Sequence, residues 1–139
     1  MFKNYILILL VGFSLLGLFP QRTTADESII KTPEQYIKEI FGAKAKIATA
    51  VLKHESGMNL TAINYNCRYN GKSTFCKKGD EHKAWSVDCG IGQTNVKGKV
   101  CPQELLTLEG NMKKVEQIYK SQGLNAWVSY KNKKYLAYM

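Results

Sequence analysis

The four cysteines of this 139-residue chain lie close together, and their clustering constrains the fold more than any other sequence feature. They are Cys67, Cys76, Cys89 and Cys101. An even number predicts two disulfides in an oxidising compartment. Of the three pairings that four cysteines allow, we favour Cys67–Cys76 and Cys89–Cys101, because each closes a short local loop. The turn signal Asn70-Gly71 lies inside the first loop. A zinc site is disfavoured, because the gaps are wide and no Cys-x-x-Cys pair occurs, so we expect no metal.

The first residues have the pattern of an export signal. Lys3 precedes an almost unbroken apolar run, Tyr5 to Phe19, and Thr23-Thr24-Ala25 offers the small residues of a cleavage site. We therefore predict a signal peptide over residues 1–25 and one domain over residues 26–139. The apolar run is short for a membrane span, and an uncleaved anchor is the alternative. The predicted location is secreted or periplasmic, or membrane-anchored if the first segment is retained.

The chain is strongly basic, which limits its partners. It carries 20 Lys and Arg against 11 Asp and Glu, a net charge of +9. Loss of Lys3 and Arg22 with the signal would leave 18 basic residues and the same 11 acids, or +7. No nucleic-acid motif is present and export argues against such a partner, so we expect none. Anionic wall polymers or a membrane surface fit this charge better.

Apolar periodicity predicts helices on both sides of a polar, cysteine-containing segment. Thr32 and Gln35 form the pattern of a capping box at a first helix, and a second helix is predicted from Ala43 to Ser56. Residues 59–100 are rich in Asn, Gly, Lys, Ser and Thr and predict turns and short strands. A third long helix is predicted from Asn111 to Gln122. The expected fold class is α+β, a mainly helical single domain with a small strand-and-loop insert.

Glu55 is the most unusual acidic residue of the helical part. It follows Ile47 and Val51 at helical spacing on one apolar face, directly before the helix-ending Gly57. A carboxyl at the edge of a buried face favours its protonated form, which a general acid needs. The alternative is a solvated acid in the last turn of the helix.

Three segments taken in order resemble the lysozyme superfamily over roughly residues 33–135. The first is Ala50–Ser56, which ends in the Glu55-Ser56 pair. The second is Ser-Val-Asp-Cys-Gly-Ile-Gly-Gln-Thr-Asn at residues 86–95, similar to the part of animal-type lysozymes that holds the second carboxylate. Its Gly-Ile-Gly-Gln core is equally similar to the Gly-Leu-Gly-Gln signature of bacterial lytic transglycosylases. The third is Gly123–Lys133, which contains Asn-Ala-Trp-Val-Ser-Tyr.

The resemblance implies a lysozyme-like fold and a muramidase that cleaves the β-1,4 bond between N-acetylmuramic acid and N-acetylglucosamine. Glu55 would be the general acid, and Asp88 the nucleophile or the stabiliser of the oxocarbenium-like transition state. Trp127 would place an apolar surface beside the acid. The implied substrate-binding residues are Ser56, Asn64, Gln93, Asn95, Ala126, Trp127 and Tyr130. The implied partner is the peptidoglycan glycan strand, bound by a monomer without a cofactor.

Two departures from animal-type lysozymes leave more than one function open. The 33-residue gap from Glu55 to Asp88 is longer than in that family and requires an insert, and Ala50 and Lys134 stand where a linked cysteine pair would be expected. The chain is therefore more similar to a bacterial or phage relative. A lytic transglycosylase would use the substrate's own 6-hydroxyl and form a 1,6-anhydro sugar, although the usual Ala-Tyr-Asn motif is missing. Non-catalytic wall binding and membrane disruption are also compatible with the sequence.

Overall fold

A computed structural model describes residues 30–139, so the predicted signal peptide over residues 1–25 lies outside the described part. Residues 30–139 form four α-helices and a four-stranded antiparallel sheet, which confirms the predicted α+β class. In chain order the elements are α1 (Pro33–Phe41), α2 (Ala45–Ser56), β1 (Ile63–Tyr69), β2 (Lys72–Phe75), β3 (Ser86–Cys89), β4 (Thr94–Lys97), α3 (Leu108–Gln122) and α4 (Val128–Lys131). Short 3₁₀ helices join several of them. None of the helices in residues 30–139 is both long enough and apolar enough to cross a bilayer.

The first two helices begin and end where their local sequence requires. Thr32 caps α1, and its side chain and that of Gln35 form the reciprocal capping box that the sequence predicts. The second predicted helix begins slightly later as an α-helix, because Gly42–Lys44 form a 3₁₀ turn before Ala45. Gly57 ends α2 at φ 65°, a left-handed conformation that glycine adopts at low cost.

The strands lie in the order β2-β1-β3-β4, and their register determines which side chains share each face of the sheet. Asp88 pairs with Asn64 on β1 and with Asn95 on β4, so these three side chains share one face. The neighbouring residues Val87 and Cys89 point to the other face, where they form an apolar cluster with Cys101 and Leu105. One face is therefore a small core and the other is polar.

The predicted insert is a disulfide-closed hairpin. Strands β1 and β2 are joined by the predicted turn at Asn70 and Gly71, both with positive φ. Cys67–Cys76 closes this hairpin, and Cys89–Cys101 ties β3 to the segment after β4. Both predicted pairings are confirmed. Disulfides of this kind indicate an oxidising extracellular or periplasmic environment.

The helices enclose the larger apolar core. Its buried members include Ile37 and Phe41 of α1, Val51 of α2, Met112 of α3, and Trp127. The Phe41 and Trp127 rings meet edge to face with centroids 6.2 Å apart. Trp127 thus has a core position in addition to any role at the site.

A buried asparagine joins α3 to the turn between β3 and β4. Helix α3 begins at Leu108 with Thr107 as its cap, so the predicted start at Asn111 was wrong. The Asn111 amide donates to the carbonyls of Cys89 and Leu105 at 3.0 and 2.8 Å, and its oxygen accepts from the Gly92 N–H at 2.9 Å. A Cβ at Gly92 would lie 2.2 Å from a Val115 methyl, so only glycine permits this close approach.

Candidate active site

Glu55 lies in the last turn of α2, half-buried, where it meets a residue 74 positions later in the chain. Its Oε1 atom accepts a hydrogen bond from the Ser129 backbone N–H at 3.2 Å and a second from the Ser129 hydroxyl. Ser129 is 2% exposed. Among the described residues, the other oxygen, Oε2, has no hydrogen-bond partner. The carboxyl is therefore held through one oxygen, by a residue of the helix α4.

Ser129 was absent from the predicted site residues, although it lies within the third segment of the resemblance. It is on the short helix α4, two positions after Trp127. Its position in the third segment is the only sequence feature that points to a role at the site, because a single serine is not specific for any function. The predicted neighbour of the acid was Trp127, whereas the hydrogen bonds to Glu55 come from Ser129.

Asp88 lies on β3, in surroundings unlike those of Glu55. Its Oδ1 atom accepts from the Asn95 side-chain amide at 2.7 Å, and its Oδ2 atom accepts from the Asn66 amide at 2.9 Å. Asn95 also donates to the Ser86 hydroxyl at 3.0 Å. The hydrogen bonds from Asn95 and Asn66 fix the orientation of the Asp88 carboxyl group through both of its oxygens. The sequence prediction missed Asn66, and the signal for it was strand alternation, since it is two residues after Asn64 and shares its face.

Two predicted sugar-binding amides bond to the protein itself. Asn64 donates to the Gln93 side-chain oxygen at 2.6 Å. The Gln93 side-chain nitrogen donates to the carbonyl of Gly90 at 2.9 Å and to that of Ala62 at 3.4 Å. Gln93 has a φ of 47°, in the turn between β3 and β4. Its side chain therefore holds the turn between β3 and β4 against Asn64 of β1.

A cavity of about 360 Å³ lies where the second and third segments of the resemblance meet. We call it the first cavity. Its lining includes Gln93, Asn95, Lys114, Ile118, Ala126 and Trp127. Four of these residues, Gln93, Asn95, Ala126 and Trp127, are predicted substrate-binding residues. The Trp127 indole N–H donates to the Gly92 carbonyl at 2.9 Å, which fixes the ring against the turn. The cavity volume is within the range of small-ligand sites.

The other three predicted substrate-binding residues, Asn64, Ser56 and Tyr130, do not line this cavity. The Ser56 hydroxyl donates to the Leu52 carbonyl of its own helix at 3.2 Å. Tyr130 is half-buried and stacks on Tyr135 with ring centroids 5.4 Å apart. Each of them thus has a local structural partner.

The site contains carboxyls, amides and an indole. In the part of the chain that the structure describes, no group of three or more His, Cys, Asp or Glu side chains is placed to hold a metal ion. Comparison of the chain with protein-family models, with curated proteins and with solved structures finds no match. A functional assignment therefore depends on the site motifs and on the geometry around Glu55 and Asp88.

Proposed function

We propose that the protein is an exported peptidoglycan muramidase with a lysozyme-like fold. It would cleave the β-1,4 bond between N-acetylmuramic acid and N-acetylglucosamine. The observation that carries this proposal is the pair of carboxyls in contrasting surroundings, one bonded through a single oxygen and the other through both. Pairs of carboxyls with unlike environments are typical of enzymes that hydrolyse glycosidic bonds.

Glu55 is the general acid in this proposal. Ser129 donates two hydrogen bonds to Oε1, so Oε2 is the oxygen from which the acid donates in this mechanism. A proton on Oε2 is available to the glycosidic oxygen of a bound glycan. Proton donation to that oxygen makes the departing sugar a better leaving group, and such general-acid catalysis contributes about 10²–10⁴-fold to the rate.

Asp88 is the second carboxyl and acts in its ionised form. The amides of Asn66 and Asn95 hold both of its oxygens, so the carboxylate is oriented before the substrate arrives. It stabilises the positive charge that develops at the anomeric carbon, or attacks that carbon to form a covalent intermediate. In a retaining mechanism, water then releases the product while Glu55 acts as the base.

The first cavity is the proposed position of one sugar of the glycan. Asn95 and the backbone near Ala126 offer polar groups, and the buried Trp127 offers an apolar wall. A pocket with few polar groups and one aromatic side is suited to an N-acetylated sugar, because the acetyl group has both an amide and a methyl.

Substitution of Glu55 tests the proposal. A zymogram on peptidoglycan should show clearing by the wild type and at least about a 100-fold loss for Glu55→Gln, since the amide cannot donate the acidic proton. The exposed Glu34, on α1, provides the matched control Glu34→Gln, which should clear as the wild type does. Circular dichroism should show that both variants are folded. Clearing by Glu55→Gln at the wild-type rate would rule out this mechanism.

Product analysis separates hydrolysis from lytic transglycosylation, the alternative that the Gly90-Ile91-Gly92-Gln93 turn favours. Mass spectrometry of digested peptidoglycan should show reducing N-acetylmuramic acid ends. Ends in the 1,6-anhydro form would assign the transglycosylase reaction and remove the chemical role of Asp88. If the folded wild type binds peptidoglycan without cleaving any bond, the protein is a wall-binding relative.

A further inference from the structure

A second cavity, of about 570 Å³, lies beside the first. Asn95 and Lys114 line both cavities, so the two are adjacent along β4 and α3. We call it the second cavity. The proposed muramidase mechanism assigns no role to it.

The wall of the second cavity is predominantly cationic. Lys97 from β4 and Lys113 and Lys114 from α3 line it, against one acid, Glu104. The three lysines are exposed, and none of them belongs to an ion pair within residues 30–139. Lys114 has only a long contact, 3.4 Å, from its ammonium to the Gln117 side-chain oxygen. These positive charges are therefore available to an anionic ligand.

The floor of the second cavity is partly apolar. Leu105 is 5% exposed and belongs to the apolar cluster with Val87, Cys89 and Cys101. Val96 is half-buried against the same cluster. A cavity with an apolar floor and ammonium groups around it suits a ligand that has both small apolar side chains and carboxylates. A short peptide with free carboxylates has this chemistry. N-acetylglucosamine is uncharged, and N-acetylmuramic acid without its peptide has a single lactyl carboxylate and no apolar side chains beyond its methyl groups.

We propose that the second cavity binds the acidic peptide that N-acetylmuramic acid carries on its lactyl group, next to the sugar held in the first cavity. This inference rests on the proposed function, because it assumes a peptidoglycan substrate. The adjacency of the two cavities at Asn95 and Lys114 supports it, since a substituent of a glycan in the first cavity would start close to the second. The lysines then select glycans that retain their peptides.

The experiment compares two forms of one substrate. Soluble glycan strands with their peptides intact are assayed beside strands from which an amidase has removed the peptides. The test variant is Lys97→Gln with Lys113→Gln, which leaves Lys114 of the first cavity unchanged. The matched control is Lys38→Gln with Lys46→Gln, two exposed lysines on α1 and α2 that line neither cavity. Both double variants lose the same charge.

The test variant should raise KM on peptide-bearing strands about 3- to 10-fold, the effect of losing two partly screened charge contacts. Its kinetic constants on peptide-free strands should stay within about twofold of the wild type. The control should stay within about twofold on both substrates. Equal losses on both substrates, or no loss on peptide-bearing strands, would overturn the inference.

Direct binding separates failure of this inference from failure of the proposed function. A soluble muramyl peptide is titrated into the wild-type protein and both double variants by calorimetry. Weaker binding by the test variant alone supports the second cavity even if no bond is cleaved. Equal binding by all three proteins, or no binding by the wild type, contradicts the peptide-binding role whatever the zymogram shows.

Discussion

The two candidate catalytic carboxyls are held by different parts of the fold. Glu55 is at the end of α2 and bonds through one oxygen to Ser129, a residue of the helical part. Asp88 is in the middle of the sheet, and both of its oxygens accept amide hydrogen bonds from neighbouring strands, from Asn66 and Asn95. A helix end leaves one side of the carboxyl open, whereas a sheet face surrounds it with cross-strand neighbours. The two carboxyls therefore differ in which of their oxygens the protein holds: one oxygen of Glu55 and both oxygens of Asp88.

Of the following substitutions, removal of the Asp88 carboxyl on the sheet should lower activity the most. Asp88→Ala should lower the rate of peptidoglycan hydrolysis on the order of 100-fold, because the preoriented charge that stabilises the transition state is lost. The rate is measured by turbidity loss of a wall suspension. Asp80→Asn, at an acid of the insert, serves as the control and should retain activity. A wild-type rate for Asp88→Ala would show that only Glu55 of the pair is needed, as in lytic transglycosylases.

The next largest effect is expected on stability, at Asn111, which links α3 to the turn between β3 and β4. Asn111→Ala leaves the Gly92 N–H and the carbonyls of Cys89 and Leu105 without their buried partner, which should cost about 2 kcal/mol or more of unfolding free energy. Urea denaturation measures this cost. The exposed Asn125 gives the matched control Asn125→Ala, expected near the wild type. An unchanged midpoint for Asn111→Ala would mean that the turn carrying Gln93 does not depend on this link.

A smaller effect is expected at the partner of Glu55. Ser129→Ala keeps the backbone hydrogen bond to Oε1 and removes the one from the hydroxyl, so kcat should fall about 10-fold with KM unchanged. Steady-state kinetics on soluble glycan strands separate the two constants. Ser121→Ala on α3, an exposed serine, is the control. A rise in KM at constant kcat would assign Ser129 to substrate binding and weaken the contrast between the two carboxyls.

The smallest effect is expected on thermal stability at Asp80, in the segment between Glu55 and Asp88. Hydrogen bonds from Lys83 first and Tyr69 second lower the pKa of Asp80 from its ordinary 3.8. A lowered folded-state pKa contributes stability that is present above pH 3.8 and is lost as the pH falls through the folded value. Asp80→Asn should therefore lower the thermal midpoint slightly at about pH 6, and this difference should vanish in strong acid.

Salt provides the check on this last prediction. Asp80 and Lys83 form a partly exposed ion pair, so high salt should also reduce the difference between the variant and the wild type. A difference that stays constant from about pH 6 to about pH 2 would show that the Asp80 charge does not stabilise the insert. Activity should be unaffected throughout, because Asp80 belongs to neither carboxyl's surroundings.

Local sequence signals predicted the elements better than their boundaries. The capping box at Thr32 and Gln35 and the Asn70-Gly71 turn require only near neighbours, and both are confirmed. The start of α3 was predicted too late. Asn111 is polar, as the residue before a helix often is, but here it is buried against the Gly92 turn and lies inside the helix. Gln93 was predicted to bind a sugar; it lines the first cavity, and its side chain also bonds to Asn64 and to the carbonyls of Gly90 and Ala62.

The sequence by itself determined the α+β class, the two disulfides and the position of Glu55 at the end of an apolar helix face. These depend on periodicity, turn chemistry and short loops, which act between residues close in the chain. Only the tertiary structure decided which groups hold each carboxyl and how two cavities adjoin along β4 and α3. Ser129 meets Glu55 across 74 residues, and Asn66 meets Asp88 across 22. Such contacts follow from strand register and helix packing, which no local pattern specifies.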